Sequence, residues 1–391
     1  PKDTKLLSYS LLTLVLTHVL IHAAGNMRAT LFPVLKEEFS LTNQQIGLII
    51  AIPTLSQTFI TIPVGWLSDR FGSKKLIALS IILAASGALI GSMSTNPWMY
   101  ILASTLLTVT STIYHPPTQS HVSGMTGKKD RSRVLGVWNA GGTFGVSLGP
   151  LSVSILVGYL SFQWRHIYGL WVIPILLGLG ALYFVKDSTL EEREARVKAD
   201  EGESKVTKLL NTNMIVFLAS MTVRMFGGGL TSGFLSIWLA NEGGWSLADI
   251  GLMFGSASIL GIFASPIGGE MAARYGEKRW LTFTLFSSYV CFLLAILLKG
   301  FWPFMIFYLG QRLFGILGMA ANGAITAKLS PPRQRGMGFA LSSLPMSIAT
   351  SLAAMVAAYM VDLYGLYSVF PAAAVIYFTG WAIFYWGVKT D

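Results

Sequence analysis

The stretch GWLSDRFGSKK at residues 65–75 decides the fold, because the chain carries a degenerate copy of it, GEMAARYGEKR, at residues 269–279. One offset of 204 residues aligns the two copies and the apolar residues before them without a gap. Chance pairing of apolar residues would not readily pair glycines and basic residues as well. The aligned glycine and basic pairs are Gly65 with Gly269, Arg70 with Arg274, Gly72 with Gly276, and Lys74 with Lys278. The chain is therefore predicted to contain two parallel structural repeats.

The composition around these copies places the repeats in lipid. Of the 391 residues, 53% are hydrophobic and 12% are charged, and the mean hydropathy is +0.60. A soluble domain carries about twice that share of charge and could not cover so much apolar surface, and the same hydropathy excludes disorder. A single cysteine, Cys291, excludes a disulfide framework, and five histidines are too scattered to predict a structural metal cluster.

Twelve apolar stretches of about 20 residues, separated by short polar turns, are predicted to be membrane-spanning helices. We number them as spans 1 to 12, at residues 7–33, 44–68, 75–95, 98–122, 133–158, 165–186, 213–239, 247–272, 279–299, 303–328, 336–361 and 367–388. A polar segment at 187–211 is predicted to be a solvated linker between one six-helix bundle at 1–186 and a second at 212–391. The prediction is an all-α membrane protein of two pseudo-symmetric six-helix bundles.

The distribution of basic residues predicts the orientation of the chain. With the N-terminus inside, 22 of the 28 Lys and Arg residues fall in inner segments, and three fall outside. Because cytoplasmic loops carry the excess of Lys and Arg, both termini are predicted to be cytoplasmic in a multi-pass protein of the inner or plasma membrane. This asymmetry also accounts for the net charge of +10 without a nucleic-acid partner.

Residues 65–75 resemble the signature that follows the second helix in the major facilitator superfamily. With twelve spans and the repeat, the resemblance covers essentially the whole chain. It implies the superfamily fold and secondary transport, and a cytoplasmic latch made by Asp69 and Arg70 with Gly65 and Gly72. In the second copy Ala273 replaces the acid, so only the first can form an Asp-based latch. A turn that only sets topology is the alternative.

Span 5 carries a second motif. Gly136, Gly145 and Gly149-Pro150 resemble most of the motif found in antiporter branches of the superfamily, which implies an antiport role. Val153 and Ser154 stand where that motif continues with two glycines. The four-residue spacing of Gly141, Gly145 and Gly149 also predicts one small-residue face that allows backbone contact with a neighbouring helix. Pro150 removes a helix hydrogen bond and favours a kink.

Two further segments resemble the fosmidomycin-resistance group, which is associated with export of a phosphonate antibiotic and related compounds. They are residues 18–48, which include two histidines and the run LFPVLKEEFSLT, and the motif YHPP at 114–117 with NAGGTFG at 139–145. The arginine signature that drug/proton antiporters carry in the fourth helix is absent from span 4. Proton coupling is therefore expected to use other groups.

Arginines inside spans are the strongest sequence evidence on the substrate. Arg28, Arg224 and Arg312 lie in spans 1, 7 and 10, whereas none of the 18 acidic residues falls in the middle of a span. A buried cation needs an anion or strong acceptors, and a guanidinium matches carboxylate, phosphate or phosphonate. We therefore predict an anionic substrate bound by these arginines. Alternatively, Arg28 snorkels to the interface, and the other two cap carbonyls or stack on aromatic rings.

Three other residues complete the predicted substrate site, and three histidines are predicted to carry protons. Asn26, Tyr114 and Trp138 are placed to line the site. His18 and His22 share a helix face, and His115 lies in span 4. With no carboxylate at that depth, these imidazoles are the core groups able to exchange protons near neutral pH. The alternative is a neutral histidine that satisfies a buried hydroxyl or carbonyl.

These features predict a secondary active transporter that moves a small anionic or amphiphilic organic solute by alternating access. The resemblance favours proton-coupled export, and proton/organic-anion symport is the alternative. A channel would need a continuous polar lining, and an enzyme would need a nucleophile, base or metal constellation that the spacing does not show. No P-loop is present, so ATP hydrolysis is not expected. We expect no cofactor and a monomer whose partners are protons, its substrate and lipid.

Overall fold

The computed structural model describes residues 8–71, 73–125, 131–185, 211–298, 300–330 and 335–389. In these ranges the chain is helical and contains no β-strand. The first half forms α1 (Tyr9–Gly25), α2 (Arg28–Glu38), α3 (Asn43–Phe71), α4 (Ser73–Ser92), α5 (Pro97–Gly124), α6 (Arg131–Ser152), a π-helical segment (Val153–Tyr159) and α7 (Trp164–Ala181). The second half forms α8 (Thr212–Thr231), α9 (Phe234–Asn241), α10 (Leu247–Tyr275), α11 (Glu277–Leu297), α12 (Phe301–Leu329), α13 (Arg335–Tyr364) and α14 (Val369–Gly387).

The helices have the length and composition of membrane spans. Ten helical segments within the described ranges are long and apolar enough to cross a bilayer. Two further helices, α3 and α5, have 29 and 28 residues, which exceeds the roughly 20 residues that a crossing needs. The predicted all-α membrane architecture is confirmed.

Two of the predicted spans are not continuous helices. Span 1 breaks between α1 and α2, where the Asn26 side chain donates a hydrogen bond of 2.8 Å to the carbonyl of His22. Span 7 breaks between α8 and α9, just after three consecutive glycines at 227–229. Asparagine competes for backbone carbonyls and glycine loses the most entropy in a helix, so both sequences favour a break.

The internal repeat extends through the helix boundaries. Two helices of the second half begin 204 residues after their counterparts in the first half. The paired first residues are Asn43 and Leu247, and Pro97 and Phe301. The offset read from residues 65–75 and 269–279 thus describes the secondary structure of both halves.

The chain divides into two compact units. The first contains residues 1–40, 52–201 and 246–255, and the second contains 41–51, 202–245 and 256–391. In the first unit α4 packs on α5 and α7, and α1 packs on α6. In the second unit α11 packs on α12, and α8 packs on α13 and α14. The predicted bundle boundaries at 186 and 212 stay a prediction, and the predicted linker lies outside the described residues except for Asn211.

The glycine stripe of span 5 lies on α1, as its spacing predicts. A Cβ on Gly141 would lie 3.2 Å from the carbonyl oxygen of Val15, and one on Gly149 would lie 2.5 Å from that of Ala23. A Cβ on Gly145 would collide with the carbonyl oxygen of Val19. The π-helical segment begins three residues after Pro150, where the proline interrupts regular α-helical bonding.

Gly276, which joins α10 to α11, occupies a conformation that favours glycine. Its φ is +87°, and a Cβ there would meet no atom within 4 Å. Replacing it with alanine is therefore expected to cost backbone strain alone, about 1–3 kcal/mol. A lower melting temperature for Gly276→Ala, beside an unchanged or higher one for Gly180→Ala inside α7, would confirm this. Equal melting temperatures would contradict it.

Candidate functional site

Three histidines form a cluster inside the first unit. One ring nitrogen from each of His18, His22 and His115 can be chosen so that all three lie within 4.8 Å of one another. The Nε2 atoms of His22 and His115 are 3.1 Å apart, so one of these nitrogens donates and the other accepts. We call these residues the histidine cluster. The histidines are scattered along the sequence, but α1 and α5 bring His115 to the face that carries the other two, so these three group in space.

The environment of His18 determines which of its nitrogens carries the proton. Its Nδ1 lies 2.9 Å from the carbonyl oxygen of Trp138, which can only accept, so Nδ1 donates. The ring is 2% exposed and stacks on the Trp138 ring at a centroid distance of 4.1 Å. Its Nε2 is buried and has no hydrogen-bond partner within the described ranges. A neutral His18 therefore presents an unused lone pair on Nε2.

The residues predicted to line the substrate site in the first unit serve other contacts. Tyr114 is fully buried, and its hydroxyl donates to the carbonyl of Leu14 at 2.7 Å. Trp138 is 2% exposed and covers His18. Asn26 caps α1 through its bond to His22. These side chains surround and orient the histidine cluster, and Tyr114 and Trp138 belong to packed core rather than to an open surface.

Gly142 of α6 makes room for the cluster. A Cβ at this position would lie 2.6 Å from Nε2 and 2.9 Å from Nδ1 of His18. Both distances are well below ordinary contact, so any larger residue would displace the imidazole ring. The motif NAGGTFG at 139–145 contains this glycine, but its contact with His18 was not predicted from the sequence.

The second unit holds a cavity of about 390 Å³ with two arginines in its lining. Arg224 from α8 is 6% exposed, and Arg312 from α12 is exposed. Among the residues that the structure describes, the lining contains no acidic side chain. Its polar members are Arg224, Ser288, Tyr289, Gln311, Arg312, Asn322 and Tyr377, and its apolar members include Met221, Met225, Leu285, Met319 and Met346. We call this space the arginine cavity.

Arg224 is held in place by neutral acceptors. Its Nε donates to the carbonyl of Ser220 at 3.3 Å, and its Nη2 donates to Oδ1 of Asn322 at 3.4 Å. The bond to Ser220 matches the alternative that Arg224 caps a backbone carbonyl. Both bonds are long, and neither partner carries the negative charge that a buried guanidinium favours.

Two tyrosines frame the arginine cavity. Tyr289 and Tyr377 stack at a centroid distance of 4.7 Å with an interplanar angle of 12°. Sequence reasoning missed both, and it missed Asn322. The available signal was weak, since a lone polar residue within an apolar span shows neither its depth nor which other spans it faces.

Arg28 belongs to a different group of residues. It opens α2 in the first unit, and its charge lies near the hydroxyls of Tyr100 and Tyr168, which are 2.9 Å apart. Each of these tyrosines lies in the first turns of its helix. The structure therefore brings Arg224 and Arg312 together in one cavity and places Arg28 at another site.

The predicted latch lies largely outside the described residues. Gly72 is not described, and the side chains of Asp69 and Arg70 and the surroundings of Gly65 are not described either. The backbone of α3 runs through Gly65, Asp69 and Arg70 and ends at Phe71. The latch therefore stays a prediction.

Comparison with known proteins is consistent with this architecture. The fosmidomycin resistance protein of Escherichia coli (strain K12) is 23% identical over 273 residues, which cover 67% of this chain and 64% of that protein. The class H tetracycline resistance protein of Pasteurella multocida is 26% identical over 298 residues, covering 73% of each. The crystal structure of a bacterial homolog of the human lysosomal transporter Spinster, inward-facing and occupied, superimposes with a TM-score of 0.83 at 16% identity, covering 98% of this chain and 97% of that one.

The family profile extends the same relationship over nearly the whole chain. It matches residues 14–223 and 216–391, so that each half carries one copy of the pattern. The matches, together with the twelve long helical segments in the described part of the chain, make this a multi-pass transporter and not an enzyme. The chain belongs to the Major Facilitator Superfamily.

Proposed function

We propose that this transporter moves a small anionic or amphiphilic organic solute by alternating access, as proton-coupled export. The observation that carries the proposal is the arginine cavity, where two guanidinium groups share a lining whose described residues include no carboxylate. A buried cation without an anionic partner is costly in a membrane. A substrate anion would supply that missing partner.

The shape and chemistry of the cavity favour an organic anion. Its volume of about 390 Å³ falls within the range of small-molecule pockets. Methionine and leucine side chains offer an adaptable apolar wall, while Arg224 and Arg312 offer planar, bidentate donors for carboxylate, phosphate or phosphonate. An amphiphilic anion would place its charged group on the arginines and its apolar group against the methionine and leucine wall.

The relatives favour export over uptake. Several are named for resistance to fosmidomycin, tetracycline or other drugs, and resistance is a phenotype of export. Proton/organic-anion symport is the second candidate, because the same arginines would bind an anion arriving from outside. We further propose that the protein is a monomer in the inner or plasma membrane. The distribution of basic residues supports cytoplasmic positions for both termini.

We propose that the histidine cluster takes up the coupling proton. His22 and His115 already share one hydrogen bond between ring nitrogens, and the cluster contains no acidic residue. Trp138 and Tyr114 both pack edge-on against the His115 ring of that bond, at centroid distances of 5.6 and 6.0 Å. The predicted latch of Gly65, Asp69, Arg70 and Gly72 completes the proposal as the element that closes the cytoplasmic side.

Reconstitution tests the proposed function directly. The purified protein is reconstituted into liposomes, which are tested with a panel of small phosphonates and carboxylates that includes fosmidomycin. When a pH gradient is imposed, the liposomes should accumulate or release one class of these compounds. The direction of movement relative to the gradient separates antiport from symport. Movement of neutral or cationic drugs alone would contradict the anion assignment, and movement that ignores the gradient would contradict proton coupling.

Replacing histidines of the cluster should uncouple transport from the gradient. In His22→Gln and His115→Gln we expect pH-driven accumulation to fall at least about tenfold, since general proton transfer by a positioned side chain is worth about 100-fold or more. Exchange of substrate across the membrane without a gradient should persist. His166→Gln, at the exposed start of α7, is the matched control. Undiminished gradient-driven accumulation in both cluster variants would disprove the assignment.

A further inference from the structure

We propose that His18, His22 and His115 form a binding site for a divalent transition-metal cation of borderline softness, with Zn²⁺ as its representative. The proposal is independent of the anion assignment for the arginine cavity, which lies in the other unit. The proposed metal site uses the same ring nitrogens as the proposed proton site, so these nitrogens would bind either a proton or a metal cation. Three observations carry it: the tautomer of His18, the spacing of the nitrogens and the composition of the cluster.

The tautomer of His18 is the one that a metal ligand needs. Histidines that bind metals usually donate their other ring N–H to a carbonyl or carboxylate, which fixes the ring and raises the basicity of the ligating nitrogen. Here Nδ1 donates to the carbonyl oxygen of Trp138. The Nε2 lone pair is then buried, with no hydrogen-bond partner among the residues that the structure describes. An unpaired acceptor in the interior is costly, and a bound cation would satisfy it.

The spacing of the nitrogens is close to that of a tetrahedral site. Zinc–nitrogen bonds of about 2.0–2.1 Å place neighbouring ligand atoms about 3.3 Å apart. The Nε2 atoms of His22 and His115 are 3.1 Å apart, and a nitrogen of each of the three rings lies within 4.8 Å of the others. Side-chain adjustments of about 1 Å would close the triangle around an ion. The ring whose Nε2 donates in the pair of His22 and His115 would carry its N–H on Nδ1 instead, which frees that Nε2 for the ion.

The packing shows that these rings are held and not merely adjacent. The ring centroid of His18 lies 4.8 Å from that of His22 and 5.0 Å from that of His115. Stacking on Trp138 and the absence of a Cβ at Gly142 define the position of the His18 ring. Rings positioned by their surroundings lose little entropy when they bind an ion.

The ligand set selects the class of ion. Imidazole suits Zn²⁺, Cu²⁺ and Ni²⁺, whereas Mg²⁺ and Ca²⁺ require oxygen ligands that the cluster does not contain. Three neutral histidines leave a fourth position for water or an anion, as in open three-histidine zinc sites. The uncompensated charge of the ion favours an anion in that position.

Direct binding measurements test the site without any transport assay. We would titrate the full chain, purified without a histidine tag, with ZnCl₂ and separately with MgCl₂ in a calorimeter. One Zn²⁺ per chain is expected, and no Mg²⁺. In His22→Gln and His115→Gln the Zn²⁺ affinity should fall more than about 100-fold, since even outer-shell partners of metal ligands are worth 10–100-fold. In His166→Gln it should not change.

A second measurement keeps the proposal testable if a cluster variant fails to fold. Co²⁺ added to the unaltered protein should give the intense visible absorption of a four-coordinate site, and an excess of Zn²⁺ should abolish it. A weak six-coordinate spectrum, unchanged Zn²⁺ affinity in both cluster variants, or loss of binding in His166→Gln would each overturn the proposal. Because no proton gradient is involved, absence of Zn²⁺ binding leaves the proton assignment standing, and failure of proton coupling leaves the metal site standing.

Discussion

Anion binding should be lost when Arg224 is replaced by glutamine. Removing one partner of a buried, charge-paired hydrogen bond costs about 2–5 kcal/mol, which corresponds to a loss of affinity between about 30-fold and several thousand-fold. Arg224→Lys should retain the charge but not the planar fork, so we expect an intermediate loss. The measurement is the dissociation constant of whichever anion the liposome panel identifies.

A matched control separates local recognition from net charge. Arg279→Gln makes the same change in the same unit, at an exposed position outside the arginine cavity, and should leave affinity within about twofold. Arg312→Gln should follow Arg224→Gln, because both guanidinium groups line the cavity. The melting temperature without ligand checks that each variant folds. Equal affinities in the Arg224 variant and the Arg279 control would refute the anion assignment.

Folding of the first unit should fail when Gly145 becomes leucine, and should weaken when it becomes alanine. Even a Cβ at Gly145 would lie 2.9 Å from the Cβ of His22 and would collide with the carbonyl of Val19. Inserting atoms into a packed interface costs about 1–3 kcal/mol for small additions and more for large ones. We expect a reduced melting temperature for Gly145→Ala and little folded protein for Gly145→Leu.

Gly136 of the same helix provides the control for this prediction. A Cβ on Gly136 would meet nothing within 4 Å, and alanine favours a helix over glycine by about 1 kcal/mol. Gly136→Ala should therefore match or exceed the original melting temperature. A Gly145→Ala protein as stable as Gly136→Ala would show that α1 and α6 separate easily, contrary to the contacts of the stripe.

The architecture was largely predictable because hydropathy and the repeat act at the level of whole helices. Apolar runs of about 20 residues have few alternatives to a membrane span, and the offset between residues 65–75 and 269–279 carried over to the helix boundaries. The helix breaks at Asn26 and after Gly229 were not predicted. They depend on single side-chain or glycine effects inside otherwise continuous apolar stretches, where hydropathy gives no signal.

The site was predictable only in part, because its grouping depends on long-range packing. The four-residue spacing placed His18 beside His22, but nothing local to α5 indicated that His115 would meet them. Arg224 and Arg312 were identified as unusual by their depth alone, and the structure brings them into one cavity without Arg28. Asn322, Tyr289 and Tyr377 were missed, since contacts between distant spans leave no periodic pattern in the sequence.

The break in span 1 ties the geometry of a joint to a chemical group. The Asn26 side-chain amide donates to the carbonyl of His22, so the residue at the break is bonded directly to the backbone of a residue whose ring belongs to the histidine cluster. If α2 pivots on α1, the Asn26 amide must turn with α2. The backbone of His22, which carries one imidazole of the cluster, must then either move with the amide or lose this hydrogen bond. Occupation of the histidine cluster and bending at the break in span 1 would then be coupled.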